Sequence, residues 1–141
     1  MKLVYFENGI IPKKSSQVEV FDNELAKIVK AMFDVVYKYK GIGLASIQIG
    51  VPKRIIVVKI DGKKLIAINP EIVEKSNEVS EYEEGNLSIL GKRVKITRPS
   101  EIKIKYQDLR GKWQELKSDG LLATCIQHEM EQMDGISILQ R

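Results

Sequence analysis

The chain of 141 residues carries 23 Lys and Arg against 19 Asp and Glu, a net charge of +4, with a single His and a single Cys. An apolar share of 43% and a charged share of 30% predict one globular domain over residues 1–141 and argue against a disordered chain. The lone cysteine excludes an internal disulfide framework and a multi-cysteine zinc module, and it fits a reducing compartment.

The opening MKLVYFENGIIPKK has no long apolar run, so no signal peptide is expected. No stretch approaches the ~18 apolar residues of a membrane span. A cytoplasmic location is expected, or an organelle matrix if a transit peptide was removed. The first predicted helix covers Asn23 to Lys40, with Asp22 as N-cap. Leu25, Ile28, Val29, Met32, Val36 and Tyr39 recur at helical spacing, and Gly41 is placed to end the helix in the left-handed conformation. Arg54–Ile60 reads as a β-branched strand, Asp61-Gly62 as a hairpin turn, and Lys64–Asn69 as the returning strand, stopped by Pro70.

Residues 74–84 read as an acidic loop. Arg93–Thr97 and Glu101–Tyr106 alternate apolar and polar as half-buried strands do, and Lys112–Lys117 follows as another strand. Ser118-Asp119-Gly120 offers a cap for a second helix, Leu121–Met133, closed by Asp134-Gly135. Ile136–Leu139 is a last short strand candidate. A helix, several antiparallel strands and a helix make an α+β pattern. Charge is uneven along the way: residues 71–84 hold six Glu and one Lys, whereas residues 92–117 hold nine Lys and Arg and three acids. That asymmetry suits either a polyanion-binding face or solvated strand faces, and its alternation with apolar residues favours the second.

Three short segments carry candidate chemistry. Gly41–Gln48 (GIGLASIQ) places small residues where another backbone approaches closely, ahead of an amide side chain. Glu84–Ser88 (EGNLS) is a glycine turn that frees the Leu87 amide, and Asn86 is a weak metal ligand. Gln127–Gln132 (QHEMEQ) sets His128 and Gln132 at i and i+4 on one helix face, with Cys125 one turn earlier. Two histidines at that spacing with an adjacent Glu would bind zinc or iron, but here the second is Gln.

In order and spacing the three segments resemble the motifs of the peptide deformylase family, G-x-G-x-A-A-x-Q, E-G-C-L-S and Q-H-E-x-D-H, across nearly the whole chain. The resemblance implies an α+β fold in which antiparallel sheets surround a C-terminal motif helix, with a further N-terminal helix. It implies removal of the formyl group from N-terminal formyl-methionine, at Fe, Zn or Ni held by the motif-two cysteine and both motif-three histidines. Carried over by position, Gln48 and the Leu87 amide would hold the oxyanion and Glu129 would move protons. Gly43, Leu44, Gly85 and Leu87 would line the substrate, and His128 is the one matching metal ligand. Asn86 and Gln132 occupy the other two ligand positions, Glu131 replaces the Asp, and Ser46 and Ile47 depart from motif one. The chain also ends soon after motif three, where many members carry an extension.

Neutral amides are poor substitutes for a thiolate and an imidazole. The expectation is therefore a deformylase homologue with no metal or a weakly bound one, impaired or inactive, retaining a pocket for N-terminal (formyl-)methionyl peptides and working close to the ribosome. Cys125 is expected in the core, with a Cys125, His128 and Glu129 metal site as a remote option. Two alternatives stand beside it: an active metal-dependent hydrolase with an unusual ligand set, and a non-enzymatic ribosome- or RNA-binding module using residues 92–117. No membrane and no specific nucleic acid are expected as partners.

Overall fold

The computed structural model describes residues 1–141. Helix α1 spans Asn23–Lys38 and is followed by strands β1 (Gly43–Ala45), β2 (Ile55–Ile60), β3 (Lys63–Lys75), β4 (Val79–Asn86), β5 (Ile89–Pro99), β6 (Glu101–Gln107) and β7 (Trp113–Asp119). Helix α2, Gly120–Met133, closes the order. An antiparallel five-stranded sheet runs β1-β2-β3-β6-β7, and β4 and β5 form a separate hairpin.

The unbroken apolar run of β2 follows from its place between the two helices. Ile55 and Val57 face the cluster under α1, with Leu25, Val29 and Met32, while Ile56 and Val58 face the cluster under α2, with Ile126 and Met133. A strand covered on both faces needs no polar alternation. Asp22 caps α1 by accepting from the Leu25 amide at 3.1 Å. Asp61 and Gly62 both have positive φ, as a tight two-residue hairpin requires. Helix α2 runs against β1, β2 and β5 to β7, so that nearly every residue from Ala123 to Met133 is buried.

Several expectations are corrected. The left-handed residue after α1 is Lys40, with φ 55°, not Gly41. Gly41 instead permits a close approach: a Cβ there would lie 3.0 Å from Leu87 Cδ1. Pro70 does not stop β3, because Asn69 takes φ 52° and the register shifts between Ile68 and Glu71, absorbing the proline in a bulge. The expected acidic loop, 74–84, is strand from residue 79 onward, as part of β4. Its glutamates have low strand propensity, but Glu83 faces Lys95 across the ladder, and Glu71 and Glu74 of β3 face Lys105 and Lys103 of β6. The uneven charge of the sequence is thus largely cross-strand complementarity. Ile136–Leu139 forms a turn instead of a strand; the Ser137 hydroxyl bonds the Gly9 carbonyl and docks this segment on the N-terminal arm. Asp119 sits at the α2 N-cap without a side-chain cap bond.

Candidate active site

A cavity of about 690 Å³ opens between the β1 end, the β4–β5 hairpin and α2. Gly43, Gln48, Gly85, Asn86, Leu87, His128 and Glu129 all line it. Leu44 does not: strand alternation turns it to the opposite face, where it is fully buried among α1 residues. Gln132 lies just behind the wall, 1% exposed.

Three amide side chains from three elements close on one another here. Gln48 Nε2 donates to Asn86 Oδ1 at 3.1 Å, Asn86 Nδ2 donates to Gln132 Oε1 at 2.9 Å, and Gln132 Nε2 donates to Gln48 Oε1 at 3.0 Å. Further bonds pin the ring. Ser88 N donates to Asn86 Oδ1 at 2.7 Å, Gln48 Nε2 donates to Ser88 Oγ at 3.2 Å, and Ala45 N donates to Gln48 Oε1 at 3.0 Å. Gln132 Nε2 also donates to Glu129 Oε1 at 2.5 Å. Both amide hydrogens of Gln48 and both of Gln132 therefore have partners, as buried amides require.

His128 is held from behind. Its Nδ1 lies 2.8 Å from Glu84 Oε1, and Glu84 in turn accepts from Arg98 Nε at 2.7 Å and Nη2 at 2.8 Å. Arg98 also reaches Glu131 at 2.8 Å, and it is 3% exposed. Burial opposes the charge on Glu84, but Arg98 and His128 hold its pKa below the ordinary value. Burial likewise opposes a charged His128, yet Glu129 and Glu84 hold its pKa up. Burial pushes Glu129 up to about 7, against the pull of His128 and Gln132. Glu129 is therefore able to take or release a proton near neutrality.

Cys125 is buried with its Sγ against Gly43, where an added Cβ would lie 2.6 Å away. Burial raises its pKa well above the ordinary thiol value, so it remains an unreactive core thiol. No three His, Cys, Asp or Glu side chains converge as a ligand set, the trio Cys125, His128 and Glu129 included. The oxygens of Asn86 and Gln132 already accept N–H bonds. One imidazole and two neutral, committed amides do not fit a divalent transition metal of the kind the motif resemblance implies. The cavity thus leaves Glu129 able to exchange a proton, whereas the Gln48 donors are spent on Asn86 and Ser88.

Arg98 is the residue that motif reading missed. Its signal was available in the pattern: on β5, Ile96 and Arg98 share the inward face, so a cation stands at a position that alternation assigns to the core. Ser88, matched only as part of its motif, proves to hold Gln48 in place.

A family model described as Polypeptide deformylase matches residues 1–141. A peptide deformylase of Bartonella tribocorum is 41% identical over 140 residues, covering 94% of this chain and 79% of that protein. One of Pelagibacter ubique is 46% identical over 134 residues, covering 92% and 78%. The crystal structure of a peptide deformylase from Thermotoga maritima superposes with a TM-score of 0.94 at 35% identity, covering 99% of this chain and 95% of that one. A peptide deformylase from Synechococcus elongatus in complex with actinonin gives 0.93 at 35% identity, covering 99% and 77%.

Proposed function

The chain belongs to the peptide deformylase family, and from that premise we propose that it is a member that binds N-terminal methionyl peptides, formylated or free, without the family's metal-dependent hydrolysis. The observation that carries this reading is the closed ring of Gln48, Asn86 and Gln132. It fills the positions of two metal ligands with amides that satisfy one another, and it engages the donors expected to hold an oxyanion. Unassisted water has a pKa near ~15.7, against about 7 on a catalytic zinc. Glu129, at about 7, is too weak a base to bridge that gap alone. In this reading His128 and Glu129 shape the floor of the pocket, while Gly43, Gly85 and Leu87 contact the peptide. The Leu87 backbone amide remains the candidate donor to a ligand carbonyl. No helix of the chain is long and apolar enough to cross a membrane.

A second reading, an active deformylase with a rebuilt ligand set, draws on the 41% and 46% identity to proteins named peptide deformylase and on the retention of Gln48, His128 and Glu129. The RNA-binding reading draws no comparable support. Arg98 is buried on Glu84, Lys103 pairs with Glu115, and Lys105 pairs with Glu71.

The binding reading and the enzymatic reading separate by ligand restoration. Asn86→Cys together with Gln132→His is expected to take up close to one Fe, Ni or Zn per chain and to gain formyl-peptide hydrolysis. The unaltered chain, purified without oxygen or chelator, is expected to do neither. Near-stoichiometric metal in the unaltered chain, lost in His128→Ala, would favour the second reading.

A further inference from the structure

The cavity mouth carries a cluster of cations. Lys40, Lys92 and Arg93 all line it, and none has a carboxylate within ion-pairing distance. Unpaired cations are common on this chain, and what sets these three apart is that they gather around one cavity mouth. Arg93 is the best placed of the three. It faces Gly85 across the β4–β5 ladder, and a Cβ on Gly85 would come 3.4 Å from Arg93 Nη1. Its guanidinium therefore lies over the backbone that leads directly into Asn86. The one bond it makes is a long 3.4 Å contact from Nη2 to the Glu83 carbonyl, which leaves its remaining donors free. Lys40 is presented at the opposite lip by its left-handed backbone, φ 55°. Of the three acids that line the cavity, Glu84 is neutralised by Arg98 and His128, Glu129 is buried and bonded to Gln132, and only Glu83 stands at the rim. The wall around Leu87, Ile42 and Leu121 is apolar.

An apolar wall under a cationic lip suits a ligand with an apolar first residue and negative charge shortly after it. We infer that Lys40, Lys92 and Arg93 select peptides whose first few residues after the N-terminal one carry Asp or Glu side chains. This inference rests on the peptide-binding reading above and adds a substrate class to it. Arginine at a carboxylate-sized opening supplies a planar two-pronged donor, which a lysine cannot. Ion pairs at such an exposed lip each contribute little, so selectivity comes from the three together and weakens with salt.

The test is a binding comparison on the full chain by calorimetry. The probes are the amidated peptides Met-Asp-Glu-Asp and Met-Ser-Gln-Asn, at about 50 mM salt. The acidic peptide is expected to bind at least about fivefold tighter, which is about 1 kcal/mol. The ratio is expected to fall towards one at about 500 mM salt, where screening shortens to a few ångströms. In Lys92→Ser with Arg93→Ser, which leaves only Lys40, the ratio should fall below about twofold. If Arg93 only braces Gly85, both affinities fall together and the ratio is unchanged, which would overturn the inference. Equal affinities in the unaltered chain would overturn it too, while leaving the peptide-binding reading intact. Binding of neither peptide would overturn both.

Discussion

Replacing Gln132 by Met removes the amide while keeping an unbranched side chain of similar length, so that the ring is tested and little cavity opens. Gln132 is 1% exposed and makes three side-chain bonds: it donates to Gln48 Oε1 and to Glu129 Oε1, and it accepts from Asn86 Nδ2. The bond to a carboxylate is worth about 1.5–3 kcal/mol and the two amide bonds about 0.5–1.5 kcal/mol each. Asn86 lines the cavity and regains part of its loss from water. A destabilisation of about 3–5 kcal/mol follows, or a Tm roughly 10–17 °C lower for a chain of this size. The loss also depends on pH. Gln132 pulls the Glu129 pKa down, so its removal hurts most where Glu129 is ionised, and the deficit at pH 8.5 should exceed that at pH 5.5. Urea unfolding at both values measures it, and a double-mutant cycle with Asn86→Leu should give a coupling above about 0.5 kcal/mol. A deficit below about 1 kcal/mol with no coupling would refute the ring as a structural unit.

Three further outcomes are expected. Glu129 has a folded pKa raised from 4.5 to about 7, so the stability it contributes is fully present below about 4.5 and is lost as pH rises through about 7. Glu129→Gln should therefore gain on the unaltered chain above pH 7 but not at pH 4.5, and NMR of the only histidine should show the His128 pKa falling; an equal effect at both pH values would contradict this. Arg98→Met strands Glu84 as a buried charge and should cost about 3–5 kcal/mol near pH 7 in chemical denaturation, with partial recovery in acid as Glu84 protonates. Gly43→Ala drives a methyl to within 2.6 Å of Cys125 Sγ and 3.2 Å of the Val57 carbonyl. It should cost about 1–3 kcal/mol in thermal unfolding, partly restored by adding Cys125→Ala, since the backbone clash remains.

What the sequence revealed and what it hid have separable physical causes. Helices α1 and α2, the apolar strand β2 and the Asp61-Gly62 turn were legible because each is specified within a few neighbouring residues. Strand β4 was not: four of its eight residues are Glu83, Glu84, Glu81 and Gly85, and only the cations of β5 make such a strand favourable. Lys40 takes the left-handed conformation beside a glycine because Gly41 is needed where Leu87 packs, a contact made 46 residues further along the chain. At the site, the motif positions of Gln48, Asn86, His128, Glu129 and Gln132 could be read by spacing. That Asn86 and Gln132 turn towards each other and capture Gln48 depends on three elements, with separations of 38, 46 and 84 residues between the bonded pairs. The support that Arg98 gives through Glu84 to His128 is equally non-local.

The proposal that this deformylase-family chain binds peptides without metal-dependent hydrolysis is tested most directly by its turnover of formyl-Met-Ala-Ser. The protein is purified without oxygen and assayed with added Fe, Ni or Zn and, in parallel, with chelator. The account predicts no turnover above buffer in any condition, together with saturable peptide binding that chelator leaves unchanged. Turnover that appears with metal, vanishes with chelator and is lost in His128→Ala would contradict it.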